Sequence, residues 1–224
     1  MGGRRVMEWR SADRVEWLQT ELPGAGVAFP TRSAGSLKDG HAAFAGALGI
    51  DPGRVAINRQ VHGDRLVFHG EAPGDPAEAD GHVLTVPGSA ALVFAADCLP
   101  VALAGPDGLA LLHCGWRGLD AGILARGAAA VGATHAAIGP GIGPCCYEVG
   151  DEVPAAFAPL GDGIAAGRML DLPEVARRLL REAGVEQIES AGLCTCCDPE
   201  RFFSHRRDAG PGRQGGIAWI EAGD

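Results

Sequence analysis

The sequence lacks any apolar run long enough to cross a membrane. The longest such runs, Ala90–Ala96 and Leu109–Leu112, fall far short of the roughly 20 residues that a transmembrane helix needs. The basic start, Met1–Arg5, is followed by charged residues instead of an apolar segment, so no secretory signal is predicted. We therefore expect a cytoplasmic protein with no membrane role.

Lysine is almost absent. Lys38 is the one lysine among 19 basic residues, against 28 acidic residues, and the formal net charge is −9. This balance opposes nonspecific binding to nucleic acid, which depends on Lys and Arg neutralising many phosphates. A local group of arginines is still able to hold one small anion. The charge therefore argues against a nucleic-acid partner and leaves a small anionic ligand open.

The composition indicates neither disorder nor a linker between domains. The chain has 224 residues, of which 46% are hydrophobic, and this is enough for a substantial core. We expect a single domain over residues 1–224, in which residues 1–24 form an N-terminal extension before a first strand at Gly26–Pro30.

Predicted helices alternate with strands that are mostly joined by hairpins. The predicted helices are Asp39–Leu48, Leu119–Val131 and Leu172–Ala183, and further strands are predicted at Arg54–Val61 and Leu66–Phe68 around a turn at Gly63-Asp64, and at Gly81–Val86, Ala90–Ala96, Thr134–Ile138 and Ile217–Ile220. This alternation favours an α+β or mixed-sheet sandwich over an all-parallel α/β sheet.

The clearest hairpin joins Pro100–Ala104 to Leu109–Cys114 through the turn Pro106-Asp107-Gly108. Antiparallel pairing returns the chain to the edge where it started. Cys98 lies just before the first strand, and His113 lies at the end of the second. The hairpin therefore predicts that these two side chains meet.

Three short segments each carry one good metal ligand where an apolar run ends at Gly or Pro. The ligands are His62 in Gln-Val-His-Gly, Cys98 in Asp-Cys-Leu-Pro, and His113 in His-Cys-Gly-Trp-Arg-Gly. Two imidazoles and one thiolate suit zinc and leave a fourth tetrahedral position for water or substrate. The three segments together predict a catalytic kind of metal site.

The chain has seven cysteines, an odd number, and no predicted export signal, which indicates free thiols rather than disulfides. Cys194 and Cys197 have a C-x-x-C spacing, and with Cys145-Cys146 they are able to form a closed structural zinc site. Free cysteines are more commonly small buried hydrophobes in tight loops. We expect that role for these residues and for Cys196, and Cys114 is expected in the core as well.

Two further segments concentrate chemical groups. Adjacent Arg206 and Arg207 would point to opposite faces if extended, so we expect one to pair with Asp208 and the other to meet a ligand oxyanion; the alternative is a surface ion-pair network. His205 is expected to be an ordinary histidine. The segment Ile138–Pro144 has no nucleotide-binding fingerprint, so its glycines and prolines predict a rigid loop.

Several motifs in a fixed order give the chain a resemblance to a known family. These motifs are Gln60–Gly63, Asp97-Cys98, His113–Gly118, Ile138–Gly150, Cys194-Thr195 and Phe202–Asp208. With them, the chain from about Val27 to Ile220 resembles the laccase-domain family, whose members have been described as multicopper polyphenol oxidases and are associated with purine nucleoside phosphorylase activity. One departure is that Thr31–Leu37 runs into the first predicted helix without the Asn-Leu-Gly stretch that members usually carry.

The resemblance implies a single-domain, four-layer α-β-β-α sandwich with mixed sheets, mainly monomeric, with zinc at His62, Cys98 and His113. It also implies phosphorolysis of adenosine, inosine, guanosine and methylthioadenosine, together with deamination of adenosine. Members have been linked to editing of peptidoglycan precursors. A multicopper laccase needs many histidines, and this chain has seven, so zinc is the preferred ion and copper the less favoured one.

The expected reaction uses zinc to activate a water or a substrate oxygen, while phosphate binds beside Arg32, Arg117 or Arg206 for attack at the ribose. Asp97 is predicted either to protonate the leaving base or to cap the turn into Leu99-Pro100.

Two competing classes stay open. In one, Cys98 is a nucleophile activated by His113 or His62, which would make a metal-independent hydrolase or amidase linked to peptidoglycan precursors. In the other, the protein is a non-enzymatic partner of cell-wall or redox machinery.

Overall fold

Two six-stranded sheets form the centre of the computed structural model, which describes residues 7–222. The strands are β1 (Glu8–Ala12), β2 (Val15–Leu22), β3 (Ala25–Pro30), β4 (Val55–Ile57), β5 (Leu66–His69), β6 (Gly81–Leu84), β7 (Ala90–Ala95), β8 (Leu99–Gly105), β9 (Gly108–Cys114), β10 (His135–Ile138), β11 (Ala165–Ala166), β12 (Met169–Leu170), β13 (Gln187–Ser190) and β14 (Gln214–Ile220). The α-helices are α1 (Leu37–Ala47), α2 (Trp116–Asp120), α3 (Ile123–Val131), α4 (Glu152–Ala156), α5 (Leu172–Glu182) and α6 (His205–Asp208).

Both large sheets are mixed. The first has the order β1-β2-β3-β14-β7-β4 and the second has the order β13-β10-β8-β9-β6-β5. The parallel pairs are β4 with β7, β5 with β6 and β10 with β13, and the other neighbours are antiparallel. Strands β11 and β12 form a separate two-stranded ribbon.

Alternation along the central strands produces three hydrophobic layers. In β9, Leu109 and Leu111 belong to the core between the two sheets, whereas Ala110 and Leu112 belong to the core shared with α3 and α5. Strand β7 likewise divides its side chains between the inter-sheet core and a third core beneath α1. Because neighbouring side chains of a strand point to opposite faces, each sheet is covered on both sides. The predicted α-β-β-α sandwich with mixed sheets is confirmed.

The predicted central hairpin is also confirmed. Strands β8 and β9 pair along their whole length, with Pro100 opposite His113 and Leu99 opposite Cys114. The long helix near residue 172 is α5, whose first turn is capped by the Asp171 side chain. None of the helices within residues 7–222 combines the length and the apolarity needed to span a bilayer.

The predicted strand at Gly26–Pro30 is present as β3, but the prediction that it is the first strand is wrong. Two strands, β1 and β2, precede Gly26–Pro30, and β2 pairs with β3 from Trp17 to Leu22. Residues 8–22 are therefore part of the first sheet rather than an extension. Residues 1–6, the remainder of the predicted extension, lie outside the described range.

Two other local predictions, one of a hairpin and one of a continuous helix, are wrong. Strands β4 and β5 do not form a hairpin around Gly63-Asp64, since they lie in different sheets and the intervening loop crosses between them. The predicted helix Leu119–Val131 is divided into α2 and α3 at Gly122, whose φ of 90° is left-handed. Helix α2 begins at Trp116 and is separated from the end of β9 by Gly115.

Candidate active site

His62, Cys98 and His113 lie together at one end of the β8–β9 hairpin. Their potential ligand atoms all lie within 4.8 Å of one another. Cys98 immediately precedes β8 and His113 is near the end of β9, so the hairpin register brings both to one edge. His62 reaches the same point from the loop after β4, and its ring meets that of His113 edge to face with centroids 4.9 Å apart.

The loop that carries His62 is held by a buried carboxylate. His62 has a φ of 62°, a left-handed conformation that costs a non-glycine residue about 1–2 kcal/mol. The backbone N–H groups of Val61, His62 and Gly63 all donate to the Asp80 carboxylate, at 3.0, 2.9 and 2.8 Å. These three hydrogen bonds fix the strained loop and aim the imidazole of His62 at Cys98.

Asp80 also orients His113, although no sequence motif above singles it out. Its Oδ1 accepts from His113 Nδ1 at 2.8 Å, and its side chain is fully buried. Burial raises the pKa of Asp80, but hydrogen bonds from His113 and from the amides of Gly63 and Val61 outweigh this and hold the pKa below its usual range. The one sequence signal was a carboxylate placed directly before the buried strand β6.

The contact with Asp80 fixes which nitrogen of His113 is free. With Nδ1 bound to the carboxylate, the other ring nitrogen faces Cys98, as in many metal-binding histidines. Burial raises the pKa of the Cys98 thiol, but the charge and hydrogen bond of His113, with a contact from His62, lower it below its usual range. A thiolate is the form that binds a metal or attacks a substrate.

Two glycines explain the motif that follows His113. A Cβ at Gly115 would lie 3.0 Å from Cys98 Sγ and 3.2 Å from His62 Cδ2. A Cβ at Gly118 would lie 2.8 Å from the carbonyl oxygen of Gly63. The two glycines therefore let α2 pass close to the donor group and to the loop of His62.

A cavity of about 630 Å³ opens beside the three donors. Its walls include the aromatic residues Phe94, Trp116 and Tyr147, the cationic residues Lys38, Arg59, Arg117, Arg206 and Arg213, and the carboxylate of Asp97. Five cations against one carboxylate make this a basic cavity in an acidic chain. Its size lies within the usual range of small-molecule sites, roughly 300–1,000 Å³.

Of the three arginines predicted to bind phosphate, the structure places two in the cavity wall. Arg117 stacks on Trp116, with its guanidinium carbon 4.6 Å from the ring centroid. Arg206 lies over Tyr147 and donates to the carbonyl oxygen of Cys146 at 3.2 Å. Arg32 is not in the wall, because its guanidinium donates to Pro199 O and lies over the ring of Phe203.

The neighbouring residues Arg206 and Arg207 have different partners. Arg207 forms an ion pair with Asp208 at 2.7 Å and donates to backbone carbonyls, so it is the internally paired member. Arg206 is the one that faces the cavity. His205 also lines the cavity, although it was expected to be an ordinary histidine. It is the first residue of the short helix α6, and no neighbouring residue type indicates that its side chain faces a cavity.

Asp97 lies at the junction of three chain segments. Its backbone is left-handed, with a φ of 91°. Its Oδ1 accepts from Thr195 Oγ1 and its Oδ2 accepts from the backbone N–H of Arg206, both at 2.7 Å. The carboxylate of Asp97 therefore links the loop that carries Cys98 to the segments of Thr195 and Arg206. It does not cap the turn into Leu99-Pro100. Both of its oxygens are already hydrogen-bonded, which favours a positioning role.

The expectation that the remaining cysteines are small buried hydrophobes is wrong for most of them. Cys145 and Cys197 are exposed, and Cys146, Cys194 and Cys196 are partly exposed. Cys114 is buried in the core, as expected. Cys145, Cys146, Cys194 and Cys197 lie close together, as the alternative interpretation of the C-x-x-C spacing requires.

Two mixed sheets, with a His-Cys-His donor set at the end of a central hairpin and a basic cavity beside it, define an α+β protein with three side chains that are able to hold one metal ion. We call this group the three-donor site. The chain belongs to the family described as multi-copper polyphenol oxidoreductase laccase, whose model matches residues 34–221. The resemblance seen in the sequence is thereby confirmed.

Proteins similar to this chain carry a more specific name. A purine nucleoside phosphorylase from Xylella fastidiosa strain Temecula1 is 40% identical over 183 residues, 72% of this chain and 70% of that protein. Purine nucleoside phosphorylase YfiH from Escherichia coli K12 is 37% identical over 188 residues, 78% of this chain and 77% of that protein. The crystal structure of Bacillus licheniformis YfiH matches 95% of this chain and 99% of that chain, with a TM-score of 0.83 and 26% identity.

The distribution of histidines does not suit several copper centres. Within residues 7–222, two groups of three or more potential ligands lie close together, and only the one at His62, Cys98 and His113 contains histidine. His69 and His82 contact each other at 2.9 Å in another part of the second sheet. Burial and the neighbouring His69 lower the pKa of His82 to about 3, so this pair serves as packed neutral imidazoles.

Proposed function

We propose that this protein is a zinc-dependent purine nucleoside phosphorylase. The observation that carries the proposal is the convergence of His62, Cys98 and His113 at one end of a cavity that also presents Arg117 and Arg206. The relatives named purine nucleoside phosphorylase, at 40% and 37% identity, support the reaction class.

The donor set fits a zinc ion. Two imidazoles and a thiolate are ligands that zinc prefers, and three protein ligands leave one position open. Asp80 supplies the carboxylate that metal-binding histidines commonly contact through their second nitrogen. Zinc bound here would supply a Lewis acid in the wall of the cavity. Copper is the less favoured ion, because within residues 7–222 no second group of potential ligands contains the histidines that several copper centres would need.

The cavity wall offers groups for both substrates. Arg117 and Arg206 are suited to phosphate, since guanidinium binds it through paired N–H donors. Phe94, Trp116 and Tyr147 offer flat apolar surfaces for a purine. Burial, with the nearby Cys98 charge, raises the pKa of Tyr147 to about 12, so its hydroxyl keeps its proton and stays a hydrogen-bond donor at neutral pH.

The reaction is a displacement at the anomeric carbon. A phosphate oxygen bonds to C1′ while the C1′–N9 bond breaks and its electron pair passes to the purine, which takes up a proton. The products are the free base and ribose 1-phosphate. Asp97 lines the cavity and stays a predicted proton donor, with its two existing hydrogen bonds as the argument for a positioning role instead.

We infer a substrate range of adenosine, inosine, guanosine and methylthioadenosine. Deamination of adenosine is a second proposed reaction, in which water adds at C6 and ammonia leaves. A site that holds phosphate at the ribose and an activated water at the base is suited to both reactions. The expected monomeric state and cytoplasmic location stay predictions, which sedimentation and cell fractionation test.

Product analysis tests the proposal. The zinc-loaded protein is incubated with inosine or adenosine, with and without phosphate, and the products are identified by mass. Phosphate-dependent release of hypoxanthine or adenine with ribose 1-phosphate is the expected result. Inosine formed from adenosine without phosphate would report deamination. Absence of ribose 1-phosphate from adenosine, inosine and guanosine, and of 5-methylthioribose 1-phosphate from methylthioadenosine, would overturn the phosphorylase.

A second candidate reaction uses the same residues without metal. Cys98, His113 and Asp80 are ordered as a nucleophile, a base and an orienting carboxylate, which is the arrangement of a cysteine hydrolase or amidase. Metal analysis separates the candidates. About one zinc per chain bound at this site and required for turnover favours the phosphorylase, whereas metal-free protein that is active and blocked by iodoacetamide favours the hydrolase.

A further inference from the structure

A second group of metal-binding side chains lies outside the three-donor site. The sulfur atoms of Cys145, Cys146, Cys194 and Cys197 all lie within 4.8 Å of one another. Cys197 Sγ is 3.3 Å from Cys145 Sγ and 3.4 Å from Cys146 Sγ. We call these four residues the tetracysteine group.

The sheet topology explains why these four residues meet. Strands β10 and β13 are parallel neighbours, so the loops that follow them leave the second sheet at the same edge. The two loops are joined by backbone hydrogen bonds, from Gly141 N to Leu193 O at 3.3 Å and from Thr195 N to Gly141 O at 3.0 Å. Each loop then contributes a tight turn that carries two of the cysteines.

The distances fit a single tetrahedral ion. With a zinc–sulfur bond of about 2.3 Å, the sulfur atoms of a zinc tetrathiolate lie about 3.8 Å apart. The sulfur separations in the tetracysteine group extend from 3.3 to at most 4.8 Å, so small side-chain adjustments bring all four to that spacing. An iron–sulfur cluster distributes its thiolates over several iron atoms, which requires a wider group than this one.

Hydrogen-bond donors surround the tetracysteine group. The backbone N–H of Gly143 donates to Cys194 Sγ at 3.2 Å, and the N–H of Cys197 donates to the same sulfur. Arg207 donates to the carbonyl oxygens of Thr195 and Cys196, and Arg206 donates to that of Cys146. The two amide donors therefore hold the sulfur of Cys194, and the two guanidinium groups hold the turns that carry the cysteines through their carbonyl oxygens.

We propose that the tetracysteine group is a structural zinc site, separate from the three-donor site and with all four positions filled by protein. Four cysteine ligands leave no open position for substrate, which is the pattern of structural zinc. The spacing Cys194-x-x-Cys197 is typical of such sites. The ion would join the two loops that present Tyr147 and Arg206 to the cavity.

Zinc stoichiometry in matched variants tests the proposal. The protein is prepared under reducing conditions with zinc, freed of loose metal, and its zinc and iron are counted by mass spectrometry. We expect about two zinc ions per chain in the parent protein and about one in either Cys98→Ala or Cys194→Ser. Cys196→Ser is the matched control, because this residue lies in the same turn but outside the tetracysteine group, and it should keep both ions.

Mercurial titration and cobalt substitution give two further readouts. A thiol-binding mercurial added in small steps should release zinc first from the exposed Cys145 and Cys197, before turnover is lost completely. Cobalt in place of zinc should show the intense sulfur-to-metal absorption of four thiolates, and Cys98→Ala should keep most of it.

Several results would overturn the assignment. The first is a single zinc ion per chain that Cys98→Ala removes, while the other cysteines titrate as free thiols. The second is a folded Cys194→Ser protein that keeps the parental zinc content. The third is stoichiometric iron in place of the second zinc. None of them bears on the phosphorylase proposal, which concerns the three-donor site and is tested by product analysis.

Discussion

The three-donor site and the tetracysteine group differ in what holds them in place. The first is built on the end of a paired hairpin, with His113 buried and with Asp80 accepting four hydrogen bonds behind the donors. The second is built on two surface loops, and two of its sulfur atoms belong to exposed residues. Three donors beside a cavity leave a position for chemistry, whereas four donors close the coordination sphere. The number of ligands, and the structural elements that carry them, therefore distinguish the candidate catalytic site from the proposed structural site in the same chain.

The largest expected effect comes from removing the thiol of the three-donor site. Cys98→Ala should abolish phosphorolysis, because two histidines alone do not hold zinc tightly, while zinc in the tetracysteine group stays. Turnover is measured by release of ribose 1-phosphate. Cys114→Ala, a change to a buried core cysteine one strand position from His113, is the control and should keep its activity. An active Cys98→Ala protein that keeps two zinc ions per chain would remove the basis of the comparison.

Replacing the supporting carboxylate is expected to have the next largest effect. Asp80→Asn puts an amide where four N–H donors now converge, so zinc affinity or kcat/KM should fall about 10- to 100-fold. Chelator competition measures the affinity. Asp64→Asn is the control, because Asp64 forms a largely exposed ion pair with Arg126 and such pairs contribute about 0–1 kcal/mol. Equal affinities for the two variants would mean that Asp80 does not orient the donors.

The cavity arginines should show a smaller and more selective effect. Arg117→Ala removes a charged donor worth about 1.5–3 kcal/mol, so the KM for phosphate should rise roughly ten-fold or more while zinc content is unchanged. Arg32→Ala should leave the KM for phosphate unchanged, since Arg32 contacts Pro199 and Phe203 instead. Steady-state kinetics with phosphate as the varied substrate measure both, and the reverse ranking would place phosphate elsewhere.

The smallest expected effect concerns clearance around the donors. Gly115→Ala introduces a Cβ 3.0 Å from Cys98 Sγ, so the donors must shift slightly. We expect a cost of about 1 kcal/mol, or roughly a five-fold loss of zinc affinity. Gly46→Ala in α1 is the control, because a Cβ there meets no atom within 4 Å. If zinc affinity is unaffected by Gly115→Ala, α2 has room to move away from the donors.

The sequence predicted those parts of the site that depend on local pairing. The Pro106-Asp107-Gly108 turn and the two apolar runs define the β8–β9 hairpin, and this alone brings Cys98 and His113 to the same edge. The alternation of helices with hairpin-linked strands likewise predicted a mixed-sheet sandwich, and the family resemblance implied its two sheets. For these features the contacts that decide the structure are close in sequence.

Features that depend on distant contacts were missed or misplaced. Asp80 acts through a loop some twenty residues earlier, and nothing in its own segment signals that role. The tetracysteine group exists because β10 and β13 are parallel neighbours, a pairing that no turn signal specifies. Arg32 was predicted to bind phosphate from its residue type, but the ring of Phe203, far along the chain, holds it elsewhere.

The carboxylate of Asp97 lies between the three-donor site in the interior and the tetracysteine group at the surface. Asp97 is the chain neighbour of Cys98, and its hydrogen-bond partner Thr195 is the chain neighbour of Cys194. The exposed turn of Cys194 is therefore joined to the sulfur of Cys98 beside the cavity through two pairs of chain neighbours and the single hydrogen bond between Thr195 and Asp97. This is a short covalent and hydrogen-bonded route from the protein surface to the interior donors.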